Sequence, residues 1–398
     1  MEGFIFPNEV HVIWSLMIVL YPYITGLVAG AFVVSSLYHV FGVEEIRPMA
    51  RFSLASAFVF LLFATSPLLL HLGHPERAFN IMLTSNMRSA MAGFGYIYTS
   101  YLILVAVEIW FSMREDFIAR ATSDRGIVGH FCKAILFWDL YTDEKRRAFD
   151  HRIVTALAAL GIPMAFVLHG YVGFLFGSLK ANPWWSTPLM CVIFIFSAIV
   201  SGIAVLIATY MTVATIRGWT IDQKCVRKMG QFLWAFMIFA VSLEGLEFLS
   251  VAYKQTAEWH IISQLVFGKL FISYVILQYG VFSTIPFFLL GMSSLFKLKN
   301  WVSNVLIFTS STMLLLQVIL MRWNVVIGGQ LVSKSHLGFT EFVPTLWGHE
   351  GIAVAAALLT APFIVLFVFH QVVPLFPADV MVRGKGESAE LDPVPVTH

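Results

Sequence analysis

The chain has 398 residues, of which 59% are hydrophobic and only 12% are charged, and its mean hydropathy is +0.81. A soluble domain of this length does not tolerate such a composition, so a soluble protein is excluded and lipid is the expected solvent. The net charge of +2 itself says little about function, and we expect no nucleic-acid partner.

Nine apolar runs follow one another along the chain, and each can supply the roughly 20 residues that a helix needs to cross a hydrocarbon core of about 30 Å. In lipid only helices and closed barrels satisfy their own backbone, and these runs are too long and too uniformly apolar for barrel strands. We therefore predict an all-α integral membrane protein with about nine transmembrane helices, in which residues 1–377 form one polytopic membrane domain. The predicted spans are Val10–Val40, Ala50–Leu72, Met91–Phe111, Ile153–Phe176, Leu189–Ile216, Met229–Tyr253, Ile262–Phe296, Val302–Trp323 and Gly351–Phe376.

The basic residues predict the orientation of the chain. Of the 25 Lys and Arg residues, 18 fall on one side of the membrane, 6 fall on the other, and Lys269 falls within a span. The positive-inside rule then places the N-terminus outside and the C-terminus in the cytoplasm, across a prokaryotic cytoplasmic (inner) membrane. In the cytoplasmic loop 112–151, the apolar stretch Ile127–Tyr141 predicts an amphipathic helix on the membrane lipid, and residues 378–398 are predicted to be a flexible cytoplasmic tail.

Spans 1 and 5 share a small-residue centre, with Gly26 and Gly30 in the first and Ser201 and Gly202 in the fifth. Spans 2 and 6 are also alike, because both begin near a basic residue and end in a polar cluster. This internal similarity predicts two four-helix bundles plus a ninth helix.

Polar residues gather towards the outer ends of the predicted spans. Such residues are costly within a membrane and usually face the bundle interior, so each is a candidate for function. The outer set is Tyr21, Tyr23, His71, His74, Glu76, Arg77, Arg88, His169, Tyr171, Glu244, Glu247, Lys269, Arg322, His349 and Glu350. The deeper set is smaller, which favours a site at the outer face over a channel through the middle.

Glu244 and Glu247 are three residues apart and therefore lie on one face of span 6. Two carboxylates so placed either titrate together or pair with a cation such as Lys269 or Arg322. We assign this pair a candidate catalytic role in handling protons.

The cysteine content excludes several metal centres. The three cysteines are scattered and form no CxxC pair. A zinc site or an iron–sulfur cluster needs more ligands than they supply, so we expect no metal in this chain and place any such centre on a partner.

Two neighbouring segments carry a recognisable motif, Leu70–Phe79 (LHLGHPERAF) and Thr84–Gly93 (TSNMRSAMAG). They resemble the NrfD/PsrC family, the membrane subunits of polysulfide reductase and related quinone-linked complexes, in which an LGxP turn precedes a Ser-rich turn that starts span 3. Further stretches are similar to this family or to its longer members in hydrogenase-linked and sulfate-reduction complexes, namely Trp14–Gly30, His169–Gly173, Pro183–Trp185, Arg322–Val325 and Pro344–Glu350.

The resemblance implies a subunit that binds menaquinone or another quinone and has no redox centre of its own. It also implies a ferredoxin-like [4Fe-4S] partner subunit on the extracytoplasmic side, together with further catalytic or cytochrome subunits. The chain would therefore be one subunit of a respiratory oxidoreductase and not a complete enzyme.

The resemblance further implies roles for individual residues. Tyr171 would donate to a quinone carbonyl, and Tyr21 would face the ring from span 1. His71 stands where many relatives carry Asp, and it joins His169 among the residues expected around the quinone. Proton exchange is assigned to His71, His74 and Glu76, and Arg77 is assigned to orienting the carboxylate or anchoring the partner.

Two other classes remain open. A haem b subunit would bind iron between paired histidines, His71 with His169 on the outer side and His39 with His370 on the inner side. A secondary transporter is favoured less, because the predicted spans include no broken helix with charges at the membrane midplane.

Overall fold

The computed structural model describes residues 12–86, 88–255, 258–336, 338–377 and 381. Within these residues nine helices are long and apolar enough to cross a membrane, and an isolated bridge pairs Val332 with Phe339. The predicted all-α membrane fold is confirmed. The predicted flexible tail, 378–398, lies outside the described residues except for Met381, as do residues 10 and 11 of the first predicted span.

The nine spans are numbered in chain order. They are Leu16–His39, Glu44–His71, Ala90–Ser112, Glu144–Gly177, Met190–Arg217, Gln223–Lys254, Phe271–Leu295, Asn300–Leu331 and Ile352–Val372. Shorter helices and turns within or between them are Glu44–Ile46, Arg47–Ala64, Ser66–His71, Pro75–Arg77, Asn80–Leu83, Arg114–Ser123, Ile127–Ile135, Trp259–Gln264, Leu265–Lys269, Phe271–Val281 and Thr284–Leu295.

Local sequence signals set several helix ends. The Ser15 side chain accepts from Met17 N–H before span 1, and the Asp143 and Asp222 side chains cap spans 4 and 6 in the same way. Span 5 ends at Gly218, whose φ of 68° is a left-handed conformation that favours glycine. These caps satisfy backbone groups that a helix leaves unpaired at its ends.

The packing follows the predicted two bundles. Spans 1 to 4 contact one another, spans 5 to 8 do the same, and span 9 packs against spans 1 and 2. Spans 1 and 5 join the bundles where Gly30 lies against Ala198 and Gly202, so the small residues noted in both spans face each other. Small residues at such a crossing let two backbones approach closely in a membrane.

Span 7 is irregular. Helix Trp259–Gln264 leads into two wide stretches of π-helix, Leu265–Lys269 and Phe271–Val281, and Phe282 N–H donates to the carbonyl of Leu277 five residues earlier at 2.8 Å. Such stretches are rare and concentrate at functional sites. Span 7 is widened, but it is not a broken helix with charges, and the lower rank given to a transporter stays a prediction.

The loop 112–151 contains two helices, Arg114–Ser123 and Ile127–Ile135. The second is shorter than the predicted Ile127–Tyr141, because the chain turns at Phe137 and Trp138, which both have positive φ. Asp139 anchors the turn, and its hydrogen bond from Arg146 at 2.7 Å holds the pKa of the Asp139 carboxyl below its ordinary value.

Candidate functional site

The end of the bundles at which span 1 begins is called the predicted outer end. There, Tyr21 of span 1 and Tyr171 of span 4 lie on the first turns of span 3. Tyr171 Oη donates to the Ala90 carbonyl at 2.7 Å, and the Tyr21 ring meets Phe94 edge-on at 5.3 Å between centroids. Gly93 makes room for Tyr171, because a Cβ on Gly93 would lie 2.3 Å from the Tyr171 hydroxyl. The structure thus brings together the two tyrosines that the sequence singled out.

The Tyr21 hydroxyl is buried without a hydrogen-bond partner among the described residues, and the side chain is only 3% exposed. A buried hydroxyl without a partner costs about 1–3 kcal/mol. The native fold therefore keeps a donor at this point that an acceptor from outside the chain can satisfy.

His71 and Glu350 are joined at the predicted outer end. His71 Nδ1–H donates to Glu350 Oε1 at 2.6 Å, and both side chains are partly buried. The two residues are 279 positions apart, and the contact connects the end of span 2 to the start of span 9. The sequence placed both residues at the outer face but did not pair them.

His74, Glu76 and Arg77 form an exposed group beyond span 2. The short turn Pro75–Arg77 holds them, His74 Nδ1 lies 2.9 Å from Glu76 Oε1, and Arg77 Nε lies 4.0 Å from the same oxygen. All three side chains are more than 60% exposed. The group therefore lies outside the bundle, where it can contact solvent or a partner.

His169 faces away from Tyr171, since residues two apart on a helix point to nearly opposite sides. It is fully buried between the bundles, where its Nε2 accepts from Arg322 Nη2 at 3.1 Å and its ring packs on Gly26. Arg322 is also fully buried and donates to Ser197 Oγ at 2.7 Å. The structure thus separates His169 from the tyrosine pair and joins it to an arginine of span 8.

Glu244 and Glu247 line one cavity in the second bundle, with about 640 Å³ of space free of protein atoms, part of it open to the exterior. Glu244 Oε2 accepts from Gln278 Nε2 at 2.9 Å and from Tyr279 Oη at 3.3 Å. The expected pairing with Lys269 is wrong, because Lys269 pairs with Glu341 of the 8–9 loop at 3.0 Å.

A chain of hydrogen bonds continues from the cavity into span 8. Asn324 Nδ2 donates to Gln278 Oε1 at 2.8 Å, and Ser273 Oγ donates to Asn324 Oδ1 at 2.7 Å. The hydroxyls of Tyr274 and Tyr279 lie 3.3 Å apart although the residues are five positions apart. Ordinary helical spacing would separate them around the helix, and the wider turn of span 7 brings them together, which no pattern in the sequence predicts.

The histidines of the haem alternative differ in their surroundings. Both outer histidines have the protein partners described above. On the inner side, His370 Nδ1 accepts from Leu375 N–H at 3.2 Å, whereas neither buried ring nitrogen of His39 has a partner among the described residues. Axial ligation on the outer side would require both histidines to exchange their partners, and this alternative stays a prediction.

The fold and these sites define a multi-pass, all-helical membrane protein with polar groups gathered towards one end of its bundles. The sequence profile of the family described as polysulphide reductase, NrfD, matches residues 7–334. The chain therefore belongs to the NrfD family, as its motifs predicted.

Three relatives show how this family is used elsewhere. The chain is 30% identical to a selenate reductase subunit of Mesobacillus selenatarsenatis over 286 residues, which are 70% of this chain and 67% of that protein. It is 26% identical to a putative dimethyl sulfoxide reductase membrane subunit of Halobacterium salinarum, over 71% and 62% of the two chains. It is 21% identical to an Hdr-like menaquinol oxidoreductase integral membrane subunit of Archaeoglobus fulgidus, over 59% and 51%. The alignments thus cover between half and two thirds of these relatives.

Proposed function

We propose that this chain is the quinone-binding membrane subunit of a multisubunit respiratory oxidoreductase. It exchanges electrons between menaquinone, or another quinone, and a [4Fe-4S] partner subunit on the extracytoplasmic side. The family and the names of its relatives, which are subunits of reductases and of a menaquinol oxidoreductase, support this proposal.

The unpartnered Tyr21 hydroxyl is the observation that carries the proposal. A quinone carbonyl is an acceptor and can satisfy this donor within an otherwise apolar environment. Tyr171 lies across the first turns of span 3, and its hydroxyl can exchange the Ala90 carbonyl for a second quinone carbonyl. The Phe94 ring, which meets Tyr21 edge-on, provides an apolar wall beside that tyrosine.

Reduction of a quinone by two electrons also takes up two protons, so the site needs proton carriers near its donors. In this proposal, His71 and Glu350 exchange protons across their hydrogen bond, and the exposed His74 and Glu76 connect that pair to solvent. Arg77 keeps the Glu76 carboxylate in place and remains free to contact a partner.

The electron-transfer partner must carry the clusters, because three scattered cysteines cannot bind a four-cysteine cluster. Loops at the predicted outer end expose large apolar side chains that suit a docked subunit. Phe79 and Leu83 are 67% and 78% exposed, and Val343 and Trp347 of the 8–9 loop are 82% and 76% exposed. Contiguous exposed apolar groups outside the lipid-facing surface are typical of protein interfaces.

The test is the substitution Tyr21→Phe in the intact complex, with the affinity for a quinone analogue as the readout. Loss of one neutral hydrogen bond of about 1 kcal/mol should weaken binding about fivefold. The ligand-free protein should be no less stable, because the variant removes a buried hydroxyl that has no partner among the described residues.

The matched control is Tyr101→Phe. Tyr101 also has a buried hydroxyl without a partner among the described residues. It lies seven residues after Phe94, about 10 Å deeper along span 3. Its variant should bind the analogue like the wild type, and equal affinities in all three proteins would overturn the proposed site.

A further inference from the structure

The cavity between spans 6, 7 and 8 is separate from the tyrosine pair of the first bundle. Its walls are mostly apolar, with Met190, Ile193, Phe248 and Met321 among the lining residues, and the Pro183–Thr187 segment borders it at the predicted outer end. The Trp184 and Tyr274 rings meet edge-on at 5.5 Å between centroids. Apolar and aromatic walls of this kind suit an aromatic ligand.

The donors around this cavity already have acceptors within the protein. Gln278 Nε2 donates to Glu244, Asn324 Nδ2 donates to Gln278, and Trp184 Nε1 donates to the Asn324 carbonyl. Tyr279 Oη also donates to Glu244, which leaves the shared Tyr274–Tyr279 contact for the Tyr274 hydroxyl. Among these groups, a ligand whose only polar groups are acceptors is therefore left with the second amide N–H of Gln278 or Asn324.

One acceptor remains open. Glu244 Oε1 is buried without a partner among the described residues, although the side chain is only 7% exposed and lines the cavity. Its other oxygen, Oε2, already accepts two hydrogen bonds. The open position therefore calls for a ligand that donates.

We propose that this cavity is a second ligand site, and that it binds an aromatic diol, the reduced quinol form of the ligand class proposed above. This second site rests on the proposed function only in the class of ligand that it is assigned. The first bundle offers tyrosine donors to the carbonyls of a quinone, whereas Glu244 offers an acceptor to the hydroxyl of a quinol. Glu244 thus favours the reduced form, whereas a tyrosine hydroxyl can donate to a quinone or accept from a quinol.

The substitution Glu244→Gln tests the proposed diol site directly, because it replaces the open acceptor in the cavity with a donor. The new amide oxygen can replace Oε2 as acceptor for Gln278 and Tyr279, so the amide N–H₂ takes the position of Oε1 and presents a donor to the cavity. In the intact complex under argon, the affinity for 1,4-naphthalenediol at this site should fall about fivefold, because one hydrogen bond of about 1 kcal/mol is lost. Binding of 1,4-naphthoquinone at the same site should become tighter.

Two further variants make the result specific. Glu108→Gln changes another buried carboxylate without a partner among the described residues, on span 3 of the first bundle, and should leave the diol titration unchanged. Val251→Trp fills the cavity with bulk and leaves the carboxylate in place, so it should abolish the same diol-binding component. Loss of diol binding in both variants would support the site, and if one variant folds poorly, the other still tests it.

The outcomes separate this inference from the proposed function. A diol affinity unchanged by Glu244→Gln and Val251→Trp would overturn it, as would release of a copurified phospholipid by Val251→Trp without loss of diol binding. Tyr21→Phe should weaken binding of the quinone analogue and leave diol binding at the second site unchanged. If Tyr21→Phe has no effect while Glu244→Gln does, the first site fails and the second stands.

Discussion

The crossing of spans 1 and 5 yields a graded prediction for three glycines. A Cβ on Gly30 would lie 2.3 Å from the Ala198 carbonyl oxygen and 2.7 Å from Gly202 Cα, where ordinary contacts begin near 3.4 Å. Both obstacles are backbone atoms, so the two spans would have to separate by about 1 Å, the difference between 3.4 and 2.3 Å. A Cβ on Gly26 would lie 3.3 Å from the His169 ring and at an ordinary contact distance of 3.5 Å from Ala198, and one on Gly245 would meet nothing within 4 Å.

These distances give the expected order of stability. Overpacking typically costs about 1–3 kcal/mol, and Gly30→Ala should reach or exceed the upper part of that range because backbone must move. Gly26→Ala should be close to neutral, since a side chain needs to shift by only a few tenths of an ångström. Gly245→Ala should gain about 0.5–1 kcal/mol from helix propensity.

The assay is thermal unfolding of the purified protein in one detergent, with the three alanine variants measured side by side. Gly30→Ala should unfold at the lowest temperature and Gly245→Ala at the highest. If Gly30→Ala unfolds together with Gly245→Ala, the two bundles do not approach as closely as the structure shows, and the reasoning is refuted.

Two other predictions concern a buried cation and the orientation of the chain. Arg322→Met removes the buried cation together with its desolvation cost, but it leaves His169 Nε2 without its donor, which costs about 1–3 kcal/mol. Arg322→Lys keeps the buried charge but loses the planar guanidinium and its stacking 3.7 Å from the Phe194 ring. The lysine variant should therefore unfold at the lower temperature, and the reverse order would contradict this account. Ile127 and Tyr253 are both 90% exposed, and Tyr253 lies at the end of span 6, so cysteines placed there in a chain without native cysteines report the topology. A membrane-impermeant maleimide added to intact spheroplasts should label the Tyr253→Cys chain and spare the Ile127→Cys chain, and the opposite pattern would reverse the predicted orientation.

Hydropathy was enough to predict the nine spans, because backbone in lipid has few alternatives to a helix. It was less successful where polar residues are buried within the protein. Span 8 was predicted to end at Trp323, yet it continues to Leu331, because Arg322 and Asn324 are fully or almost fully buried against other spans instead of marking the membrane surface. Residue type alone cannot distinguish these two environments.

The sites show a similar limit. Sequence patterns indicate the depth of a residue in the membrane but not the direction in which it points across the bundle. They therefore placed His169 beside Tyr171, whereas the helix directs the two residues to different neighbours. They also allowed Lys269 as a partner for Glu244, although the wide turns of span 7 present Gln278 to that carboxylate. Contacts between spans depend on rotation and on helix irregularity, and one sequence reports neither.

The two proposed ligand sites lie in bundles of similar architecture but differ in the polar group that each leaves open. Spans 1 and 5 meet through small residues at the crossing, yet the proposed quinone site has an open hydroxyl at Tyr21, whereas the cavity of the second bundle has an open carboxylate oxygen at Glu244, counted among the described residues. Each open group is costly in the ligand-free protein, and that cost is recovered only by a ligand of the complementary kind. In the proposed assignments, a quinone carbonyl accepts from Tyr21 and a quinol hydroxyl donates to Glu244, so a chain with both sites binds the oxidised and reduced forms at the same time. Glu244→Gln should therefore weaken binding of the diol and tighten binding of the quinone. If the carboxylate had only a structural role, its substitution would weaken the binding of both ligands alike.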